Sequence, residues 1–319
     1  MMLRNITFAF VAVAFLTAGC ADEFDLVTEV NKFRVMGVSV TPPEIRPEYT
    51  GPVDIQVLWH DPHGKGRSVE FGWVFCAGDV PTATGYQACE LLDPFLLPPV
   101  IANAESGGDT FSIPMIPAEA YEDIPEGTSF VATAIVLMCA GGSLPPAEEL
   151  VTHQDTNDIN ALCKGGDGIS AYKSIVIANG NVLSDEPNAN PQILSLSLDG
   201  ALLTPVNVND PDPHIPDDVT CSDYDCDADI TLAASFSNES YQSYTILEFD
   251  EPKTEQERPY ISWFATGGEF LGEHSVSDSP DDVPEVEWNP KEQGDYILWA
   301  VANDRRGGVS WQEFRVRVM

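Results

Sequence analysis

The chain has 319 residues with 51 acidic and 15 basic side chains, which give a formal net charge of −36. Nucleic acid is not an expected partner of so acidic a surface, because contacts to phosphate require lysine and arginine. An apolar content of 43% argues against intrinsic disorder, and the length favours roughly two domains.

The first twenty residues combine one basic side chain with an apolar run. Arg4 precedes an apolar run over residues 6–19, which is shorter than the roughly 20 residues of a bilayer span. A basic start, an apolar middle and small residues at the end are typical of a secretory signal peptide. The segment from Leu16 to Cys20 resembles the lipobox of bacterial lipoproteins, which implies cleavage after residue 19 and a diacylglycerol on the sulfur of Cys20. The alternative is an unmodified cysteine in an ordinary signal peptide or membrane stub.

The resemblance to lipoproteins also implies a location. Ala21 stands where some bacterial lipoproteins carry the aspartate that retains them at the inner membrane. A lipid-anchored position at the bacterial outer membrane is therefore expected, facing the periplasm or the cell surface, with the membrane as a partner. Residues 20–32 are predicted to form a lipidated tether, which reaches about 40 Å when fully extended.

Strict alternation of apolar and polar residues dominates the chain beyond the tether, and it is the signature of half-buried β-strands. The clearest segments are residues 53–59, 69–75, 194–198, 230–236 and 314–318. One amphipathic helix is predicted near residues 146–161. The sequence therefore predicts an all-β protein.

The alternation falls into two blocks, residues 33–178 and 191–319, joined by a polar and turn-rich linker at residues 179–190. Each block carries a tryptophan-bearing strand, at Trp73 and at Trp263, and later a glycine that precedes a long apolar strand. Several short strands at this spacing suggest a sandwich or barrel in each block.

The order of these landmarks resembles that of immunoglobulin-like sandwiches, and the second block resembles a PKD-type domain. The residues that carry the second resemblance are Ile261–Trp263, Gly267–Gly268, Gly294–Tyr296, Asn303–Asp304 and Gly307–Gly308. The resemblance implies two tandem immunoglobulin/PKD-like antiparallel β-sandwiches after a lipoprotein signal peptide. It also implies that Tyr296 is a corner tyrosine, whose hydroxyl bonds to the backbone while its ring packs.

Seven cysteines leave six once Cys20 is assigned to the lipid, and in an oxidising compartment this even number favours three disulfides. Cys221 and Cys226 are expected to pair within the second block. Three pairings are open to the four cysteines of the first block, Cys76, Cys89, Cys139 and Cys163. Antiparallel strands of an immunoglobulin-like sheet would place Cys76 some 30 Å from Cys139, whereas bridged α-carbons are roughly 6 Å apart. Cys76–Cys139 is therefore disfavoured, and the pairing preferred here is Cys76–Cys89 with Cys139–Cys163, each of which staples a long loop.

The densest acidic segment covers residues 207–229. Four aspartates alternate within it: Asp223, Asp225, Asp227 and Asp229. Calcium takes six to eight oxygen ligands, and clustered carboxylates on a stapled loop supply such ligands. The spacing lacks the glycine and the terminal glutamate of an EF-hand loop. A solvated acidic loop is the favoured interpretation, with calcium as the one candidate cofactor.

A second candidate metal site is the segment WHDPHGKG, in which His60 and His63 flank Asp61. Two histidines three residues apart suit zinc, but no third ligand is in view. The segment Asp61 to Gly64 is more typical of a turn between two strands.

Catalytic motifs are absent from the sequence. It contains no Gly-x-Ser-x-Gly elbow, no His-Glu-x-x-His pair and no phosphate-binding loop. Proximity of carboxylates carries little information in a chain this acidic. The protein is therefore not expected to be an enzyme.

The predicted strand YILWAVA has two apolar faces. Trp299 lies on the face opposite Tyr296, together with Ile297 and Val301, where a one-sided sheet would be polar. This face is predicted to pack between the two domains, and a binding surface is the alternative.

These observations lead to one functional hypothesis: a membrane-anchored envelope lipoprotein that acts as a non-catalytic binding, adhesion or scaffolding module through immunoglobulin-like domains, with an envelope protein or glycan as partner. A calcium-dependent adhesin is one alternative. The other is a hydrolase or carbohydrate-processing accessory with an unrecognised site.

Overall fold

The computed structural model describes residues 27–64, 67–77, 100–104, 108–113, 125–146, 161–180, 186–208, 217–219, 229–248 and 251–319. Within these ranges the protein is all-β, with a short 3-10 turn at Asn238–Ser240 and no α-helix. The signal peptide, residues 20–26 of the tether and residues 147–160 of the predicted helix lie outside the described residues.

The first sandwich contains a three-stranded sheet, in the order β1-β3-β6, and a five-stranded sheet, in the order β2-β8-β7-β4-β5. Its strands are β1 (Arg34–Thr41), β2 (Glu44–Ile45), β3 (Val53–His60), β4 (Val69–Ala77), β5 (Val100–Ala104), β6 (Thr110–Ile113), β7 (Thr128–Ala140) and β8 (Asp167–Asn179).

Alternation along these strands produces the first core. Val53, Ile55 and Val57 of β3 are buried, whereas Asp54 and Gln56 between them are exposed. The buried residues face Phe71 and Trp73 of β4 and the inward positions of β7 and β8 in one cluster. The period-two pattern of the sequence thus fixes which face of each strand enters the core.

The second sandwich contains two five-stranded sheets, in the orders β10-β9-β12-β18-β16 and β11-β20-β19-β15-β17, and a separate hairpin β13-β14. Its strands are β9 (Ile193–Leu198), β10 (Ala201–Leu202), β11 (Asp217–Val219), β12 (Ile230–Phe236), β13 (Ser243–Glu248), β14 (Glu251–Gln256), β15 (Tyr260–Ala265), β16 (Glu269–Phe270), β17 (His274–Val276), β18 (Glu285–Asn289), β19 (Gly294–Asn303) and β20 (Val309–Val318).

Two buried tryptophans form the centre of the second core, and a tyrosine packs against one of them. Trp263 and Trp288 are both fully buried in it, one from each sheet. The ring of Tyr296 packs edge-on against Trp288 at a centroid distance of 5.2 Å. Its hydroxyl donates to the carbonyls of Pro290 (3.0 Å) and Glu292 (2.9 Å). Tyr296 therefore makes the backbone contacts that were expected of a corner tyrosine.

The two sandwiches repeat one strand order. The last strand of each, β8 or β20, pairs with the long strand before it, which pairs in turn with the tryptophan strand β4 or β15. Each last strand also pairs in parallel with a short strand, β2 or β11. These two parallel edge pairs were not part of the predicted antiparallel sheets; strands of two or three residues carry too little pattern to be found from sequence.

A third apolar cluster joins the two sandwiches. Trp299 is fully buried and lies on the outer face of β19 with Ile297 and Val301, as the sequence predicted. The cluster contains Val30, Leu58, Val208, Phe264, Trp299, Val301 and Val309, with Met36, Val206, Ile297 and Trp311 at its margin. Its members come from both sandwiches, so the domains share a hydrophobic interface.

Close approach of the sandwiches depends on a glycine in β1. A Cβ atom at Gly37 would lie 3.3 Å from Val301 Cγ1, which is tighter than ordinary contact. The register of β1 against β3 also shifts between Val35 and Gly37. The missing side chain and the local bulge allow the backbone of the first sandwich to lie against the second.

The predicted tether is shorter than expected. Within residues 20–32, the backbone of Thr28 and Val30 hydrogen-bonds to Ala265 of β15, at 3.0 and 2.7 Å. Val30 is 0% exposed and belongs to the interdomain cluster. A single buried valine in a polar segment gives no periodicity, which is why sequence reasoning placed it in the tether.

One predicted disulfide is present among the described residues. Cys139 and Cys163 are bonded, with a Cα–Cα distance of 5.2 Å. The argument against Cys76–Cys139 also holds, because β4 and β7 are antiparallel and Cys139 pairs with Glu70 rather than with Cys76. The side chain of Cys76 and the residues Cys89, Cys221 and Cys226 lie outside the described part, so their pairings stay predictions.

Replacing Trp299 with alanine tests the interdomain cluster. We expect Trp299→Ala to lower the free energy of unfolding by about 3–5 kcal/mol, because it opens a cavity between the sandwiches. The connection at residues 186–192 should also become sensitive to protease. Denaturant titration and limited proteolysis measure the two effects, with Leu271→Ala as a control because Leu271 is 61% exposed. Protease resistance equal to that of the wild type would contradict the proposed contribution of Trp299.

Candidate functional site

The predicted calcium site falls mostly beyond the described ranges. Asp223, Asp225 and Asp227 lie outside them. Asp229 is described and exposed, and its Oδ1 accepts a hydrogen bond from Asn289 Nδ2 at 3.4 Å. In the described part of the chain, no three His, Cys, Asp or Glu side chains are grouped to hold a metal ion. Calcium binding by this segment stays a prediction.

The segment around His60 forms a turn, in agreement with the favoured interpretation. The Gly64 N–H donates to the carbonyl of Asp61 at 3.0 Å, which closes the turn after β3. The buried Asp61 carboxylate accepts from Arg67 Nε (2.7 Å) and Nη2 (3.0 Å) and from the His63 N–H (3.1 Å). Asp61 is therefore occupied by the turn and by Arg67.

His60 lies at the interface rather than beside His63. Its ring centroid is 5.0 Å from that of Trp299, whereas His63 is exposed. Burial lowers the pKa of His60 to about 4, with Arg315 acting in the same direction and Asp61 opposing it. His60 is therefore neutral at pH 7 and packs as an aromatic ring between the sandwiches.

A buried ionic network, here called the junction cluster, lies where the linker enters the second sandwich. Its members are Glu44, Arg46, Asn188, Glu257, Asp304 and Arg306. Glu44 lies in β2 of the first sandwich and Arg46 directly follows that strand, while Asn188 belongs to the linker. In the second sandwich, Glu257 lies in the β14–β15 connection, and Asp304 and Arg306 lie in the β19–β20 connection. The cluster therefore connects three separate parts of the chain.

Arg306 is the centre of the junction cluster. Its Nη1 donates to Glu257 Oε1 at 2.7 Å, and its Nη2 donates to Glu44 Oε2 at 3.3 Å. Its backbone N–H donates to Asp304 Oδ1 at 2.7 Å. The same Glu44 oxygen accepts the Asn188 N–H at 3.0 Å, and Asn188 Nδ2 donates to Asp304 Oδ2 at 2.9 Å. One guanidinium thus links both sandwiches.

Because the junction cluster is buried, the pKa of Glu257 depends strongly on the charged groups around it. Glu257 is 1% exposed, and burial together with the nearby Asp304 carboxylate raises the pKa of Glu257 to about 7, against the effect of Arg306. Buried ion pairs contribute little net stability, but removing one partner leaves an uncompensated charge. The cluster is therefore suited to fixing the orientation of the two sandwiches rather than to adding stability.

A second buried carboxylate lies under the interdomain cluster. Glu313 Oε2 accepts a hydrogen bond from Trp299 Nε1 at 3.1 Å. Burial raises the pKa of Glu313 to about 7, although the bonds from Trp299 and from the backbone of Val208 lower it. The carboxyl group therefore changes charge near neutral pH within the interface itself.

A groove of about 690 Å³ runs along the linker between the sandwiches; we call it the junction groove. It is lined by Thr41, Pro42, Pro43, Pro187, Asn188, Ala189, Asn190, Pro191, Gln192, Ile193, Leu194, Ser310, Trp311 and Gln312. Prolines, Leu194 and Trp311 make much of the wall apolar. Among the described residues, Asn188 Oδ1 and Gln312 Oε1 are buried acceptors without a hydrogen-bond partner.

The walls of the junction groove are held by the linker. Asn190 Nδ2 donates to the Val40 carbonyl of β1 at 2.9 Å, and Asn190 Oδ1 accepts the Val309 N–H of β20 at 2.9 Å. Gln242 Oε1 accepts the Ala189 N–H at 3.0 Å. One asparagine therefore bonds to both sandwiches, and the groove has a defined shape.

A smaller cleft of about 310 Å³ lies on the interface near the turn that follows β3; we call it the basic cleft. Its lining residues are Trp59, His60, Asp61, Pro62, Gly64, Arg67, Val69, Val208, Ile297 and Arg315. Its charged lining residues are Arg67, Arg315 and Asp61, and His60 is neutral.

A serine–histidine contact occurs on the open face of a sheet. His274 Nδ1 lies 3.1 Å from Ser262 Oγ, and the two residues are cross-strand neighbours on β15 and β17. The His274 side chain is 53% exposed and Glu273 is 4.0 Å away. The pair lines neither the junction groove nor the basic cleft. Its geometry is that of an exposed cross-strand pair.

Comparisons with known proteins identify no family. The sequence matches no protein-family model and no curated protein. The D0-D1 domain of intimin is 9% identical, over 88% of this chain and 98% of that one, with a TM-score of 0.23. The fibronectin(III)-like modules of CbhA from Clostridium thermocellum are 10% identical, over 89% and 93%, with a TM-score of 0.24. The two tandem V-type regions of VCBP3, a v-region-containing chitin binding protein, are 10% identical, over 89% and 99%, with a TM-score of 0.27. No function transfers to this chain at these scores.

Among the residues that the structure describes, no helix combines the length and the apolar character that a span requires.

Sequence reasoning missed the junction cluster. Asn303–Asp304 and Gly307–Gly308 were noted only as landmarks of the domain, although Asp304 accepts the backbone N–H of Gly308 at 2.8 Å and thereby closes the β19–β20 turn. Arg306, between them, is one of only 15 basic residues. The scarcity of basic residues in so acidic a chain was the one sequence signal that could have drawn attention to Arg306.

The pKa of Glu313 predicts a pH dependence of stability. Its pKa is raised from 4.5 to about 7 in the folded protein, so the stability it contributes is present below pH 4.5 and is lost as the pH rises through about 7. Glu313→Gln keeps an oxygen acceptor for Trp299 and cannot ionise. We expect the variant to gain on the wild type by up to about 3 kcal/mol between pH 4.5 and 8. Urea titrations of both proteins across this pH range measure the difference in their free energy of unfolding, in which the general effect of net charge cancels. A difference that does not change with pH would contradict the assignment.

Proposed function

We propose that this chain is a non-catalytic binding module of the bacterial cell envelope, anchored through a lipid on Cys20, which presents the junction groove to a protein partner. The observation that carries the proposal is the groove itself, about 690 Å³ between two sandwiches that are fixed to each other. Binding sites are commonly concave, largely pre-formed and located between domains. Pre-organisation lowers the entropic cost of binding, which is the advantage of a rigid junction.

The chemistry of the groove favours an extended protein segment over a glycan. Its prolines and Trp311 offer apolar surface, and Leu194 at its edge is 63% exposed. The unpartnered oxygens of Asn188 and Gln312 are acceptors, which suit the N–H groups of a peptide backbone.

The lipid anchor would hold the groove close to the membrane. Thr28, where the chain is bonded to β15, lies eight positions after Cys20, a stretch that reaches about 27 Å at most. Val30 is buried between the sandwiches, so the first described residues of the chain lie at the junction. The groove would therefore face partners near the membrane surface rather than at the end of a long stalk.

Photo-crosslinking tests the groove in the native cell. A photoreactive amino acid at Leu194 should crosslink to one discrete protein, whereas the same probe at Leu271, which is 61% exposed and outside the groove, should not. Immunoblotting measures the crosslinked species. Equal crosslinking at both positions, or none at Leu194, would contradict a protein-binding groove. Loss of a glycan-array signal on Leu194→Asp, without any protein crosslink, would assign the groove to a glycan instead.

Metabolic labelling tests the anchor. Cells fed an alkyne-tagged fatty acid should incorporate the tag in the wild-type protein and in a Cys76→Ser control, but not in Cys20→Ser, because only the cysteine of a lipobox accepts the diacylglycerol. In-gel fluorescence reports the label. A wild-type protein without label, or a labelled Cys20→Ser protein, would overturn the proposed anchoring.

A further inference from the structure

The basic cleft contains an arginine that lacks a carboxylate partner. Arg315 Nη2 donates to the Val208 carbonyl at 3.0 Å, and no carboxylate of the described residues lies within ion-pair distance of Arg315. Its Nε is buried and has no hydrogen-bond partner among those residues. Arg315 itself is half-buried, but a buried N–H donor without a partner costs free energy.

Arg317, the neighbouring arginine on the same strand, has the carboxylate partner that Arg315 lacks among the described residues. Arg317 lies two residues further along β20, on the same face, and its Nε bonds to Asp295 Oδ1 at 2.7 Å. The register of β19 against β20 explains this pairing, because Arg317 lies opposite Asp295 whereas Arg315 lies opposite Ile297. In a chain with 51 acidic residues, Arg315 thus faces an apolar side chain where its neighbour faces a carboxylate.

The other cation of the cleft is already neutralised. Arg67 bonds to Asp61 through Nε at 2.7 Å and to Asp167 through Nη1 at 2.6 Å. These bonds raise the pKa of Arg67 and leave it fully paired. His60 is neutral, and Arg315 is the cleft cation that makes no ion pair among the described residues, although its charge acts to lower the pKa of Asp295 and of Glu313 nearby.

Trp59 supplies a second free donor. Its Nε1 is buried without a hydrogen-bond partner in the described part of the chain. The ring itself is fixed by edge-on contacts with Phe33 and Phe71, at centroid distances of 6.2 and 5.8 Å. Trp59 and Arg315 both line the basic cleft. Two unpartnered N–H donors in one cleft call for a ligand with acceptor oxygens.

We propose that the basic cleft binds a single carboxylate group, held by the guanidinium of Arg315 and the indole N–H of Trp59. A guanidinium is matched in plane by a carboxylate, and the charge-assisted bonds are strong. The Asp61 carboxylate in the same cleft disfavours a dianion such as phosphate. A volume of about 310 Å³ is at the small end for ligand sites, so the carboxylate belongs to a small organic acid or to one acidic side chain of a partner protein.

Titration of the mature protein with sodium acetate at constant ionic strength tests the proposal. The Trp59 indole N–H signal in a ¹⁵N-correlated NMR spectrum should shift and saturate, and Trp59→Phe identifies that signal. Arg315→Gln should weaken binding at least about tenfold, because it removes the charge-assisted bonds. Arg317→Gln is the matched control, because Arg317 is on the same strand and outside the cleft, and it should bind acetate like the wild type.

Two further arms separate the sources of the ligand and the class of anion. A blocked peptide with one glutamate that binds more tightly than acetate would assign the cleft to a partner's side chain; a weaker peptide would assign it to a free acid. Inorganic phosphate that binds as tightly as acetate would overturn the carboxylate assignment. Absence of a saturating shift, or equal binding by Arg315→Gln with its other indole signals unchanged, would overturn the site. None of these outcomes depends on the junction groove.

Discussion

Burial of the outer face of β19 is the constraint on which the arrangement of this protein depends. Ile297, Trp299 and Val301 make that face apolar while the opposite face of the same strand enters the core of the second sandwich. A strand with two apolar faces must be covered on both. The first sandwich provides the cover, and Gly37 allows it to come close enough.

Apolar contacts hold the two sandwiches together, and buried ion pairs fix their relative orientation. The hydrophobic effect is proportional to area and has no direction, so the interdomain cluster alone would tolerate small rotations. The junction cluster removes that freedom, because Arg306 must reach Glu44 and Glu257 at once. A misaligned junction would leave a buried charge unpaired, which is the costly condition. The groove and the cleft both lie on this junction, so their shapes depend on it.

Alternation in the sequence was sufficient to predict the longer strands and the core positions of Trp73 and Trp263, but not the short edge strands or the fully buried Trp288. Trp299 was predicted at the interface because its strand lacked a polar face. Strand direction excluded Cys76–Cys139, and Cys139–Cys163 was the preferred pairing because it staples a long loop. The junction cluster could not be predicted in this way, since its members are far apart in sequence: 262 positions separate Glu44 from Arg306. Polar residues in turns resemble solvated loops until tertiary structure buries them. The same holds for Val30, and for Arg315, whose lack of a partner depends on the register of two strands.

The attachment of Thr28 and Val30 to β15 gives the N-terminal segment a structural function as well as the proposed anchoring one. The segment covers part of the interface, so residues 28–30 are fixed relative to both sandwiches. A lipid on Cys20 would then restrain the whole two-domain body rather than the first domain alone. This arrangement depends on the two sandwiches acting as one rigid unit.

Residual dipolar couplings of backbone amides in the two sandwiches test that rigidity most directly. Couplings from described strands of both domains should fit a single alignment tensor, with the relative orientation seen in the structure. Two tensors of different magnitude would show that the sandwiches move independently, and would contradict the account of the junction.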